Sequence, residues 1–319
     1  MSTNIHYDTN LLPPTQARTY RLQPSQLHPT HSPSPKYLYT IEMKHVPSQL
    51  PKLSGHRAEL IDTHCHLDMD AYQADLDNVI QSAFNHGIKR IITIGIDYPS
   101  SHEAVALSGR YPNIYAAIGF HPHDAQRATP TALQQMADLA SHHKVVGYGE
   151  IGLDYVKNYA PHDMQRKVFS QQLHLAKELN LPIVIHDREA HEDVCDLVRT
   201  AGPFPKGGVM HCFSGDQQLA EEMIDMGFYI SIPGVATFTN AHILHEVIRT
   251  TDLRHLLLET DGPFLAPVPF RGKRNEPKLM LYTAQKVAEL KQISIDEVAR
   301  TTTANSVRLF HLPGDNHDS

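Results

Sequence analysis

The sequence has no tryptophan and only three cysteines, Cys65, Cys195 and Cys212. So sparse and odd a set cannot make the disulfide framework of a small secreted domain. None sits in a Cys-x-x-Cys pair, which excludes a zinc-finger reading. No apolar run is long enough to span a bilayer, and the N-terminus lacks the charged and then apolar stretch of a secretory signal. The expected setting is therefore a reducing compartment, the cytoplasm, with no membrane partner. Positive charge is not in excess either: 28 Lys and Arg stand against 35 Asp and Glu, a formal net charge of −7. A chain of that balance has no global field to draw in a polyanion, so a nucleic-acid substrate would need a local basic patch or bound cations. What is abundant is histidine, with 23 residues, several of which close short apolar runs. That pattern suggests a metal site.

Residues 1–57 differ from the rest. They are rich in Pro (Pro13, Pro14, Pro24, Pro29, Pro33, Pro35, Pro47, Pro51), Ser and His, with no periodic apolar pattern, and read as a disordered extension. From Ala58 onward, short apolar, β-branched runs alternate with helical stretches. The runs are Glu59–Ile61, Arg90–Ile94, Ile114–Ile118, Val145–Gly149, Pro182–Ile185, Gly208–Met210, Phe228–Ile232 and His255–Leu258. Being apolar throughout rather than alternating, they read as buried parallel strands. A clear helix is expected over Gln165–Asn180, with Phe169, Leu173, Ala176 and Leu179 on one face. Eight βα units over roughly 250 residues have the size of a single (β/α)8 TIM barrel, here spanning 58–312, with 313–319 a flexible tail. A doubly wound open sheet fits less well, because no glycine-rich phosphate loop follows the first run. A monomer is the default expectation.

The expected strand ends carry the chemistry. They read Asp62-Thr63-His64-Cys65-His66, Gly119-Phe120-His121-Pro122-His123, Gly149-Glu150-Ile151-Gly152-Leu153-Asp154, His186-Asp187-Arg188, His211-Cys212-Phe213-Ser214 and Glu259-Thr260-Asp261. In a barrel of this kind those ends form the face where catalysis occurs. His64 and His66, two apart on a strand, point the same way, and Cys65 points towards the helices. Alone, a histidine at a strand end is most often a hydrogen-bonded structural residue. The ordered combination of His64, His66, Glu150, His186, His211 and Asp261 reverses that reading and points to a metal centre. Imidazole and carboxylate donors suit divalent ions. Six donors exceed the need of one tetrahedral ion, and a carboxylate such as Glu150 can bridge a pair.

The longer strings narrow the identity. Thr63-His64-Cys65-His66-Leu67-Asp68, the stretches 119–123, 149–155, 181–190, 211–215, 230–235 and 256–267, and the later 271–277 and 301–310 resemble the TatD family of metal-dependent deoxyribonucleases, within the amidohydrolase superfamily. The resemblance covers about residues 59–312; the N-terminal extension is additional to it, and Phe120 is a minor departure. It implies a barrel holding two divalent ions (Mg2+, Mn2+ or Zn2+) and acting on DNA phosphodiesters through a metal-bound hydroxide. The six donor residues match the family's metal positions.

Further roles are expected from chemistry and position. Glu150 and Asp261 serve catalysis as ligands, with Asp261 also placed to accept a proton from the attacking water. His121 either donates to the phosphate and leaving group or orders its neighbours. Arg188, Arg271 and Arg274 offer guanidinium forks for phosphate, with Lys273 beside them and Ser214 as a hydroxyl donor or helix cap. Two rivals stand beside DNA hydrolysis. One is hydrolysis of a small-molecule ester, lactone or amide on the same barrel, which would not need the basic loop at 271–274. The other is a non-catalytic structural metal, disfavoured by six N/O donors at a barrel mouth.

Overall fold

The structure is a computed structural model that describes residues 49–55, 58–157 and 159–313. The expected extension up to residue 48 and the tail from 314 lie outside the described residues. Each apolar run forms a strand: β1 Leu60–Cys65, β2 Ile88–Ile94, β3 Ile114–Ile118, β4 Val145–Asp154, β5 Ile183–Arg188, β6 Gly208–Met210, β7 Phe228–Ile232 and β8 Leu256–Leu258. They pair in parallel, in sequence order, as an eight-stranded sheet. Helices alternate with them, among them Tyr98–Arg110, His162–Glu178, His191–Ala201, Gln217–Asp225, Met280–Lys291 and Ile295–Leu309. The fold is the expected TIM barrel. No helix among the described residues is long and apolar enough to cross a membrane.

Alternation along the strands sorts the buried side chains into two layers, because successive residues of a strand face opposite sides. Ile92, Ile94, Tyr115, Ala117, Val184, Val209 and Leu257 form one cluster. Their neighbours Ile91, Ile114, Ala116, Ile183, Ile185, Met210, Leu256 and Leu258 join the helices in the other. The first layer fills the barrel, and Leu309, Phe310 and Leu312 of the C-terminal segment pack into it. The helix His162–Glu178 buries Phe169, Leu173 and Ala176 as its periodicity requires, with Leu179 half-buried just past its end.

The barrel closes where β1 meets the segment after β8. Cys65 bridges Gly262, Asp261 N donates to His64 O at 2.8 Å, and His66 N donates to Gly262 O at 2.7 Å. One step lower, a side chain replaces the ladder. The Asp62 carboxylate accepts from Thr260 N at 2.9 Å and Thr260 Oγ1 at 2.6 Å.

The barrel unit also starts earlier than the composition suggested. Leu50 and Leu53 pack against the outer layer, and Ser54 donates through N and Oγ to the Asp296 carboxylate at 3.0 and 2.8 Å. These two leucines fall inside the Pro-rich stretch and are too few to show a period.

Candidate metal centre

Glu150, on the prolonged end of β4, stands at the centre of the barrel mouth. Its Oε2 lies 3.4 Å from His64 Nε2 and 3.9 Å from His66 Nε2 on β1 and just beyond it. Its Oε1 lies 2.7 Å from His186 Nδ1, 3.3 Å from His211 Nε2 and 3.6 Å from His121 Nε2. Asp261 Oδ1 is 3.4 Å from His66 Nε2 and 3.9 Å from His64 Nε2. One carboxylate thus has a separate set of nitrogens on each of its oxygens. His64 and His66 Nε2 face each other at 3.3 Å, and the His64 and His211 rings stack at 3.5 Å between centroids. Several trios of these donors lie within 4.8 Å of one another, including His64–His66–Glu150, His64–His211–Asp261 and His121–Glu150–His186. Asp261 itself has φ 55°, a left-handed conformation uncommon for a residue with a side chain and typical of functional sites.

Electrostatics divide the cluster. Burial would raise the Glu150 carboxyl, but His211, His121 and His64 outweigh it and hold it well below the usual carboxylate range. Burial, then the neighbouring His211, pushes His64 down to about 3. Burial and His186 push His121 well below the ordinary imidazole value. His186 is raised to about 9: burial opposes its charge, and the hydrogen bonds to Asp154 and Glu150 overcome that. His211 is likewise raised well above its usual value, against burial, by Glu259 and Glu150. So many imidazoles cannot all be charged at such spacing. A buried group of neutral and charged rings around carboxylates is a donor set that a divalent cation would complete by displacing protons.

A second layer of carboxylates orients the rings. Glu259 Oε1 lies 3.0 Å from His211 Nδ1 and accepts from Cys212 N at 2.7 Å. Asp154 Oδ2 lies 2.9 Å from His123 Nε2 and 3.4 Å from His186 Nε2. His66 Nδ1 faces Ile94 O at 3.1 Å. Such outer partners fix which nitrogen of a ring faces the centre. The sequence reading assigned no role to Glu259, Asp154 or His123. Asp154 had a signal, since it is four residues from Glu150 on one strand and therefore on the same face. Burial, then Asp261, Glu259 and Glu150, pushes the Cys212 thiol well up. It is therefore a protonated thiol and not the thiolate a soft metal would seek.

The structure brings together His64, His66, Glu150, His186, His211 and Asp261, with His121 beside them. The residues expected to bind phosphate fare unequally. Arg188, at the end of β5, is exposed and its charge reaches Cys212. Arg271 is exposed in the segment after β8, its guanidinium 4.6 Å over the Phe238 ring. Ser214 is exposed and is not a cap, because Asp216 caps the helix Gln217–Asp225 by accepting from Leu219 N at 3.0 Å. Arg274 corrects the sequence reading. Its guanidinium grips both oxygens of Asp75 at 2.8 Å, Glu276 at 2.9 Å and Ala71 O at 2.7 Å. It pins the post-β8 segment to the β1 side of the molecule and is not available as a phosphate fork.

A TIM barrel whose mouth gathers imidazoles around a carboxylate defines the class of metal-dependent hydrolases. The family model of TatD-related DNase matches residues 61–311. The chain is 46% identical over 253 residues to the uncharacterized metal-dependent hydrolase YabD of Bacillus subtilis, covering 79% of this chain and 99% of that one. It is 36% identical over 256 residues to YcfH of Escherichia coli, another uncharacterized metal-dependent hydrolase, covering 79% and 96%. The crystal structure of the E. coli TatD homologue YjjV superposes with a TM-score of 0.77 at 32% identity, covering 80% of this chain and 99% of that one. The chain belongs to the TatD family of metal-dependent hydrolases.

Proposed function

We propose that this protein is a deoxyribonuclease that hydrolyses DNA phosphodiester bonds with two divalent ions. His64, His66, Asp261, His186 and His211, gathered around the two oxygens of Glu150, are the residues that would hold the ions. The donors fit that role. They are nitrogen and carboxylate atoms without thiolate, suited to Mg2+, Mn2+ or Zn2+, and His64 is held neutral by burial and by His211, which leaves one of its ring nitrogens unprotonated as a donor. When bound, such ions lower the pKa of water towards about 7 and offset charge on phosphate. Asp261 Oδ1, at the rim of the centre, is the group placed to accept the proton of the attacking water. His121 Nδ1 accepts from His123 N at 3.1 Å, so the proton of this neutral ring sits on Nε2, facing the centre as a donor to a phosphoryl oxygen. Cys65, Cys195 and Cys212 are all free thiols, and a reducing cytoplasm is part of the proposal.

The observation that favours DNA over a small neutral substrate is local charge. In a chain of net charge −7, the exposed guanidiniums of Arg188 and Arg271 have no ion-pair partner among the described residues. Both stand on segments that leave the barrel mouth, where they fit the bidentate demands of phosphate. The description of the matched family as a DNase supports the same reading.

The test is cleavage of an oligonucleotide by metal-stripped protein with Mg2+, Mn2+ or Zn2+ restored, beside Glu150→Ala, Arg188→Ala and Arg271→Ala. Metal-dependent cleavage is expected from wild type and not from Glu150→Ala, with KM raised about tenfold in each Arg variant and a steep loss with salt. A folded, metal-loaded wild type that leaves DNA intact would turn the assignment to small esters, lactones or amides.

A further inference from the structure

The mouth of the barrel exposes aromatic and aliphatic surface that the chemistry above does not use. Seven large hydrophobic residues are exposed among the described residues. Six come from two segments: Val156, Tyr159 and Met164 after β4, and Phe264, Leu265 and Val268 after β8. Leaving a large ring in water forfeits its burial energy, so a concentration of such residues around a catalytic centre asks for an occupant.

Two of them are rings, and each stands on a different side of Glu150. Tyr159, 66% exposed, lies edge-on to His123 with centroids 4.8 Å apart. His123 in turn packs 4.2 Å from His121, which faces Glu150 Oε1. Phe264, 49% exposed, lies edge-on to His66 at 6.1 Å, and His66 belongs to the Oε2 side. A series of ring contacts thus runs from one exposed aromatic through the metal centre to the other. Each ring stands nearly perpendicular to its histidine, so the pair is edge-to-face and not stacked. Arg188 and Arg271, exposed and without an ion-pair partner among the described residues, stand on segments that leave the same mouth.

We infer that Tyr159 and Phe264 are stacking platforms for the nucleobases on the two sides of the scissile phosphate. This rests on the nuclease reading above and goes beyond it, since it assigns base contacts to a centre described so far only through phosphate. The occupant follows from chemistry. Planar bases suit exposed ring faces, every base offers such a face, and the phosphates linking them suit the metal-donor residues that stand in the series between the two rings, with exposed arginines on segments leaving the same mouth. A lipid or an apolar peptide would not call for that combination of ring, cation and metal donor. The platforms add affinity without choosing sequence, because stacking tolerates all four bases.

The experiment compares cleavage of an oligonucleotide with cleavage of the same strand carrying abasic sites on both sides of one linkage, in metal-loaded wild type, Tyr159→Ala, Phe264→Ala and Phe264→Trp. Removing one stacked base is worth about 5- to 150-fold. Wild type is expected to prefer the base-bearing linkage about tenfold or more in kcat/KM, mainly through KM. Each alanine variant should lose the share of that preference that its own ring supplies, and Phe264→Trp should keep it, which separates stacking from a folding defect. Should wild type cut both substrates with the same preference as the alanine variants, the platforms are refuted and the nuclease reading stands. Should wild type cut neither, the nuclease reading falls and the platforms fall with it.

Discussion

A carboxyl group enclosed at the seam between β1 and the end of β8 cannot ionise freely. Asp62 is fully buried, and burial raises its carboxyl to about 7, with the hydrogen bonds from Thr260 offsetting part of the effect. The unfolded chain releases this proton near 3.8. Between the two values the folded protein holds a proton the unfolded chain has lost, so this group favours folding at low pH, and the advantage is lost as pH rises through about 7. Asp62→Asn keeps the shape and removes the titration, since Thr260 Oγ1 can turn from donor to acceptor. In metal-free protein, the variant should gain on wild type as pH rises from about 4 to 8, by up to about 1.4 kcal/mol per pH unit. Urea unfolding midpoints at several pH values measure this, and a constant difference across them would refute it. Single residues were unequally legible. The candidate metal donors His64, His66, Glu150, His186, His211 and Asp261 could be listed because the barrel puts every strand end on one face. Arg274 could not, because its fate is decided by Asp75, 199 positions away.

Among the elements, β1 and β4 do what no pattern rule states. Leu60 and Cys65, five positions apart, both belong to the outer layer, while Ile61 belongs to the inner one. Strict alternation allows no such pair, so the strand slips by one residue; its register against β2 shifts between Leu60 and Ile61 and again between Asp62 and Cys65, and the second shift is the one next to the histidines. That slip turns His64 and His66 into the barrel. β4 runs to Asp154, well beyond the expected apolar run at 145–149, because its later polar residues face metal donors and not water. It can pair closely with β5 only because Gly152 has no side chain. Its φ is +150°, and a Cβ there would lie 1.9 Å from the carbonyl oxygen of His186. Gly152→Ala should therefore push the His186 strand away, costing about 3 kcal/mol through strain and overlap. Calorimetry should show Tm lowered by about 6–12 °C, with bound metal reduced as well. Gly109→Ala, in the helix Tyr98–Arg110 with nothing within 4 Å of the new methyl, is the control and should be neutral or stabilising.

Across the whole molecule, the donors come from strands as far apart in the chain as β1 and the segment after β8. An ion bound at the mouth would tie these strands together. Anything that binds only the folded state stabilises it by mass action, about 2.7 kcal/mol at one hundred times Kd. Chelation should lower Tm by about 5–10 °C for a domain of this size, and restoring Mn2+ or Zn2+ should recover it. An unchanged Tm, with no metal found in the purified protein by elemental analysis, would refute a metal centre. The barrel itself was readable because buried parallel strands are apolar on both faces and the intervening helices keep their period, as at Phe169, Leu173 and Ala176.

By itself the sequence determined which segments are strands and helices, their order, and which end of the barrel carries histidine and carboxylate. These follow from local hydrophobic periodicity and from the single direction of a parallel barrel. Tertiary structure alone decided how those groups are used: that Glu150 divides its oxygens between two sets of imidazoles, that Glu259 and Asp154 orient rings behind them, that Arg274 is tied down while Arg188 and Arg271 are not, and that Tyr159 and Phe264 stand exposed on opposite sides of the centre. The reason is physical. A side chain's period is set by its neighbours in sequence, whereas its charge, partner and exposure are set by residues brought near it only when the barrel closes.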